Sequence, residues 1–103
     1  MSFEYPIIDL LVIAERCIVF FGRVGSGTVH VGDDLLLESP QGTIVVKVMS
    51  LEPGGFRVAG ARTSDHVAVV VEHVDLAPVA DGLRVTEGNR VQVQSLVLRS
   101  LSR

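Results

Sequence analysis

Hydrophobic residues in this chain come in short runs, each closed by a turn-forming residue. Turn signals fall at Ala14-Glu15-Arg16, Gly25-Ser26-Gly27, Gly32-Asp33, Ser39-Pro40-Gln41-Gly42, Pro53-Gly54-Gly55, Asp81-Gly82 and Glu87-Gly88-Asn89. The runs between them are rich in Val, Ile and Leu and too short for ordinary helices. Such residues suit a pleated surface, so the pattern predicts strands at about Pro6–Ile13, Cys17–Val24, Thr28–Val31, Asp34–Glu38, Thr43–Glu52, His66–His73 and Leu83–Thr86. Short strands punctuated by Gly, Pro, Asp and Asn predict an all-β fold, a small closed six- to seven-stranded antiparallel barrel.

Three runs are apolar at every position or nearly so: Cys17–Phe21, Ile44–Val48 and Val67–Val71. A strand with one face in water should alternate. The expectation is that a crossing loop, the tail or a second subunit covers the outer face. The C-terminal run from Arg90 alternates as far as Gln94, and then its phase slips at Ser95. Either a bulged strand or a strand ending in a helical turn accounts for that slip; the strand is preferred, as an exposed edge available for pairing. The expected organisation is one domain over 1–103, with the barrel core at 7–88 and a C-terminal edge strand or tail at 89–103.

A chain of 103 residues has room for one core. Its 48% hydrophobic content is high for so short a domain, and part of the excess is expected in a subunit interface. The net charge is −3, with Lys47 the single lysine and the arginines scattered from Arg16 to Arg103. That balance weighs against tight nucleic-acid binding, which requires a basic footprint. A lone Cys17 excludes an intramolecular disulfide and suits a reducing compartment. No signal-peptide pattern opens the chain, and the apolar runs fall short of the about 18 residues of a membrane span. These features lead to the expectation of a cytoplasmic protein without membrane contact.

From about Ile7 to Gly88 the chain resembles the β-barrel second domain of translational GTPases, the elongation factor Tu and initiation factor class. Asp9-Leu10-Leu11-Val12-Ile13 stands where that family has its Asp-Val-Phe-x-Ile strand. Phe21-Gly22-Arg23-Val24-Gly25-Ser26-Gly27 resembles the run ending Thr-Gly-Arg-Val-x-x-Gly, and Val31-Gly32-Asp33 the Val-Gly-Asp turn. Val46 to Glu52, Ala59-Gly60-Ala61 through Val71, and Asp81 to Val85 resemble the later strands in the same order. Glu15-Arg16-Cys17 departs from the usual Gly-Arg-Gly. The nucleotide-binding Gly-x-x-x-x-Gly-Lys-Ser/Thr is absent from the sequence. The resemblance implies a detached barrel module without nucleotide, whose matched residues are mostly structural.

The sequence carries no convincing catalytic set. Gly22 to Thr28 is glycine-rich like a phosphate loop, but the strand expected at Thr28–Val31 replaces the helix such a loop needs, so a hairpin turn is expected. Along one strand His66 and His73, seven apart, would point to opposite faces, and Cys17 in a core strand makes a poor ligand or nucleophile. No catalytic residue, metal or cofactor is assigned. The stretch Pro53–Ser64 reads as the longest irregular loop. Phe56, Arg57 and Arg62 within it, with Arg23 and Arg84 elsewhere, are the candidate partner-binding residues, since guanidinium forks and exposed aromatics suit recognition. The competing expectation turns Phe56 inward as a plug.

The expected role is thus a non-enzymatic binding or assembly module, with a homo-oligomer or a protein as partner. An RNA- or ribosome-associated adaptor is the alternative.

Overall fold

The computed structural model describes residues 2–85 and 91–101. Its strands, in chain order, are β1 (Glu4–Ile13), β2 (Cys17–Gly22), β3 (Thr28–His30), β4 (Asp34–Glu38), β5 (Thr43–Gly54), β6 (Phe56–Val58), β7 (Gly60–Arg62), β8 (Ala68–Glu72), β9 (Leu83–Val85), β10 (Val91–Val93) and β11 (Val97–Ser100). A short 3-10 segment, Ala77–Gly82, precedes β9.

Six of these strands form an antiparallel sheet in the order β4-β11-β1-β2-β8-β5, and β5 pairs with β4 to close it into a ring. Closure leaves few free edges. β6 extends the sheet beyond β5, while β3-β7 and β9-β10 are separate two-stranded pairs. The core fills the ring with alternate residues of each strand: Leu35 and Leu37 from β4, Ile18 and Phe20 from β2, Val69 and Val71 from β8, and Val46, Val48 and Leu51 from β5. Val79 of the 3-10 segment and Leu96 are buried towards one end, with Phe3, Val24 and Val29 towards the other.

Two polar devices tie the ring to its connections. Tyr5 is fully buried on β1, and its hydroxyl lies 2.5 Å from the Val67 carbonyl and 3.1 Å from that of Phe20. Asp81 accepts from the Ser39 hydroxyl at 2.5 Å and the Gln41 amide at 2.9 Å, which pins the β4–β5 turn to the 3-10 segment. On the outer surface Arg99 of β11 bridges its neighbours, donating to Glu38 at 2.7 Å and to Glu4.

Several expectations are corrected. The C-terminal segment is not an edge, because β11 pairs with β1 on one side and β4 on the other and so completes the ring. Its phase slip is a break at residues 94–96 between β10 and β11. Expected positions 86–90 and 102–103 lie outside the described residues.

The glycine-rich segment is not a hairpin turn, since β2 pairs with β1 and β8 while β3 pairs with β7. Instead the Gly25 and Ser26 amides donate to the Glu4 carbonyl at 2.8 and 3.2 Å, so a backbone acceptor uses the donors a phosphate would need. Gly27 and Gly32 do take positive φ, +72° and +95°, and Asp33 accepts from the His30 amide at 2.8 Å.

Pro53–Ser64 is not irregular, for it holds the end of β5 together with β6 and β7. Nor is Phe56 a plug: it stands 62% exposed. The apolar strands are not buried on both faces by this chain either. Residues on the inward side are covered, and those on the outward side remain half-buried or exposed.

Candidate functional site

The outer face of β1, β2, β8 and β5 carries a group of uncovered apolar side chains. Register aligns them: Leu11 opposes Val19, and Val19 opposes Val70, so three apolar residues cross three strands in one row. Phe21 opposes Asp9 and Cys17 opposes Ile13 in the flanking rows. Leu11 is 53% and Phe21 41% exposed, while Val19, Cys17 and Val70 are half-buried by their neighbours.

Two bulges shape the surface. A register shift between Val48 and Ser50 leaves both Met49 and Ser50 on the outward side, where Ser50 opposes Val70 and is covered by its neighbours. Another, between Ile7 and Asp9, leaves Ile8 protruding on β1. A bulge inserts one residue and reverses the side-chain phase, which explains why strict alternation fails at both places.

An open groove of about 510 Å³ runs along this face. Leu11, Val19, Phe21 and Ala68 form its apolar part, and the Pro53-Gly54-Gly55 backbone forms one wall with Glu52 and His66 at the rim. A second depression beside it is lined by Ile13, Cys17, Val19, Met49, Glu52 and Arg57. Glu52 therefore borders both. Its carboxylate accepts from the Ser50 hydroxyl at 3.0 Å, and the Arg57 guanidinium lies 3.9 Å away. The Arg57 side chain is largely solvated, so this ion pair is loose.

The candidate residues do not converge on one point. Phe56 and Arg57 stand at the start of β6, next to the groove wall. Arg23 lies just after β2 in a β-bridge with His66, a groove residue. Arg62 is on β7 opposite Thr28, with its amide donating to Asp65 at 2.9 Å, and lines a separate cleft with Thr28, His30 and Asp65. Arg84 is exposed on β9, opposite Gln92.

Leu11, Val19, Met49 and Glu52 are site residues that the candidate list omits. Val19 carries a signal in the apolar run Cys17–Phe21, which predicts cover rather than an open face, whereas Leu11, Met49 and Glu52 lie outside the three apolar runs. Cys17, expected in the core, instead lines the second depression, because Ile18 takes the inward position beside it. Burial pushes the Tyr5 hydroxyl well above the ordinary tyrosine range. Among the described residues no group of three or more His, Cys, Asp or Glu is placed to hold a metal ion, and no helix is long and apolar enough to cross a membrane.

The six-stranded antiparallel ring with its short satellite pairs resembles part of a translation elongation factor. Solved structures show this likeness directly. The chain superposes on translation elongation factor SelB from Methanococcus maripaludis, in the apo form and in complex with the GTP analogue GppNHp, each with a TM-score of 0.74 and 24% identity. Each match covers 98% of this chain and 19% of SelB, so the chain spans about a fifth of that protein's length. No family model and no curated protein sequence matches the chain.

Proposed function

We propose that this chain is a non-enzymatic protein-binding module, a closed barrel of the translation-factor second-domain type that binds through the outer face of β1, β2, β8 and β5. The observation that carries this reading is the uncharged row Leu11–Val19–Val70, flanked by the exposed Phe21 and Met49. A contiguous apolar patch that water would otherwise cover marks an interaction surface. Glu52, Arg57 and His66 supply the polar rim that orients a partner.

Cys17, the single thiol, sits in the second depression on this face and serves as a local probe. Its alkylation rate falls when a partner covers the face, whether that partner is a second copy or a purified ribosome. An alkylation rate unchanged at high protein concentration and with ribosomes present would contradict the reading.

A second reading, an RNA- or ribosome-associated adaptor in the cytoplasm, is favoured by the likeness to SelB. The net charge of −3 and the dispersal of Arg23, Arg62 and Arg84 make RNA contact the weaker part of that reading. Phosphate contacts would show as affinity that falls steeply with salt.

A further inference from the structure

Carboxylates border the apolar row on both sides. Asp9 opposes Phe21 and Glu52 opposes Ala68 in the row on one side of Leu11–Val19–Val70, while Glu72 opposes Cys17 in the row on the other. Asp9 and Glu72 are exposed, and neither has an ion-pair partner among the described residues. Glu52 has only its loose contact with Arg57. The other cations nearby stand outside these three rows. Arg23 bridges to His66 one row beyond Phe21, and Arg16 lies in the β1–β2 turn.

β8 sets the spacing of the charges. Ala68, Val70 and Glu72 follow one another on its outer side, with Val69 and Val71 turned into the core. Glu52, level with Ala68, and Glu72 therefore stand four residues apart along the strand direction, about 13 Å, with Val70 midway. Val70 shares a hollow of about 320 Å³ with Val19 and Met49.

We propose that the partner this face takes is an extended protein segment of the pattern basic–x–apolar–x–basic. Laid along β8, such a segment projects those three side chains to one side with the period of the strand beneath it. Its apolar side chain settles on Val70, and its two cations meet Glu52 and Glu72. Arg57 is largely solvated and gives way to the incoming cation at little cost. Charges placed at the rim in this way fix the register of a partner and turn away the wrong ones. A phosphate backbone brought to the same place would meet a carboxylate at both marks, and the net charge of −3 acts in the same sense at longer range.

This inference rests on the outer face being a protein-binding surface, and the test separates the two. Three end-capped peptides are titrated into the isotope-labelled chain, and Kd is read from the amide shifts of β5 and β8 by NMR. They are Lys-Ser-Leu-Ser-Lys, its acidic counterpart Glu-Ser-Leu-Ser-Glu, and the shuffled Lys-Lys-Leu-Ser-Ser of identical charge. The first is repeated on Glu72→Gln and on Asp34→Asn, which removes a carboxylate from β4, outside this face. Both positions are exposed, so the fold is kept.

The patterned basic peptide is expected to bind roughly tenfold more tightly than the acidic one and about threefold more tightly than the shuffled one. Glu72→Gln is expected to weaken it about threefold, and Asp34→Asn to leave it unchanged. Equal affinity for the basic and acidic peptides overturns the inference and leaves the protein-binding reading standing. Equal weakening by the two variants, or a shuffled peptide that binds as well, also overturns it, since either reduces the preference to general attraction by an acidic chain. If no peptide binds, the inference falls, and Cys17 alkylation with purified ribosomes then decides the broader reading alone.

Discussion

The hydroxyl of Tyr5 on β1 lies 2.5 Å from the carbonyl of Val67, 62 residues along the chain and just before β8. The Phe20 carbonyl of β2 lies 3.1 Å from the same hydroxyl, so its one proton, directed to the nearer Val67 carbonyl and shared with Phe20, ties β1 to β2 and to the residue that leads into β8. A buried hydroxyl with a partner contributes little more than its bond, whereas carbonyls left without a donor are costly. Tyr5→Phe is expected to lower stability by about 1–2 kcal/mol in denaturant titration.

The same residue sets an alkaline limit. Burial raises the Tyr5 pKa in the folded state, while in the unfolded chain the phenol ionises near its ordinary value of about 10. The folded state thus holds the proton to higher pH than the unfolded state does. Its contribution is whole below about pH 10 and is lost as the pH rises above it. Tyr5 is the single tyrosine and the chain has no tryptophan, so ultraviolet absorbance reports its ionisation cleanly. Phenolate absorbance is expected to rise together with the loss of β-sheet circular dichroism. Ionisation near pH 10 with the fold intact would contradict this.

Gly27 and Gly32 share a positive φ but not a neighbourhood. A Cβ on Gly27 would come within 2.7 Å of Phe3 backbone atoms, whereas one on Gly32 meets nothing within 4 Å. Gly32→Ala is expected to cost only the conformational strain, about 1–2 kcal/mol. Gly27→Ala adds a clash with backbone that cannot swing aside, for about 1–3 kcal/mol more. Thermal melts of the two variants order them; equal losses would contradict the packing of Gly27 on Phe3.

Much of the ring was legible in the sequence because turn residues bound its strands. Asp34–Glu38 needed no more than Gly32-Asp33 on one side and Ser39-Pro40 on the other. What escaped was decided by contacts across the chain. β6 and β7 are three residues each, too short for alternation to register, and so Pro53–Ser64 read as a loop. Phe56 is exposed because it sits opposite Gly54 at the tip of the β5–β6 hairpin, beyond the core that Val58 two residues on still touches, which no local pattern announces. The tail read as a strand, but its place between β1 and β4 depends on two pairings remote in sequence. Tyr5 offered one polar atom in an apolar run and gave no sign of its two acceptors.

The outer face was visible as composition and misread as geometry. Val19 and Val70 point away from the core, so a charge there should be tolerated by the fold and not by binding. Val19 is half-buried, so Val19→Glu is expected to cost about 1–2 kcal/mol of stability without unfolding the chain, while weakening binding through this face. Calorimetry beside light scattering separates these effects; a variant that unfolds would place Val19 in the core.

RNA binding through scattered arginines carries its own expectation. Retention of single-stranded RNA in filter binding should be weak at low salt and absent at physiological ionic strength. Tight binding that survives salt would favour the adaptor reading over the protein-binding one.

The central claim, that the face bearing Leu11, Phe21 and Met49 binds protein, is tested most directly by hydroxyl-radical footprinting. The chain is labelled dilute, concentrated, and with purified ribosomes. Leu11, Phe21 and Met49 are expected to lose reactivity together in at least one of the latter two states, with Leu101, beyond β11, unchanged. Equal reactivity of all three in every state would contradict the account.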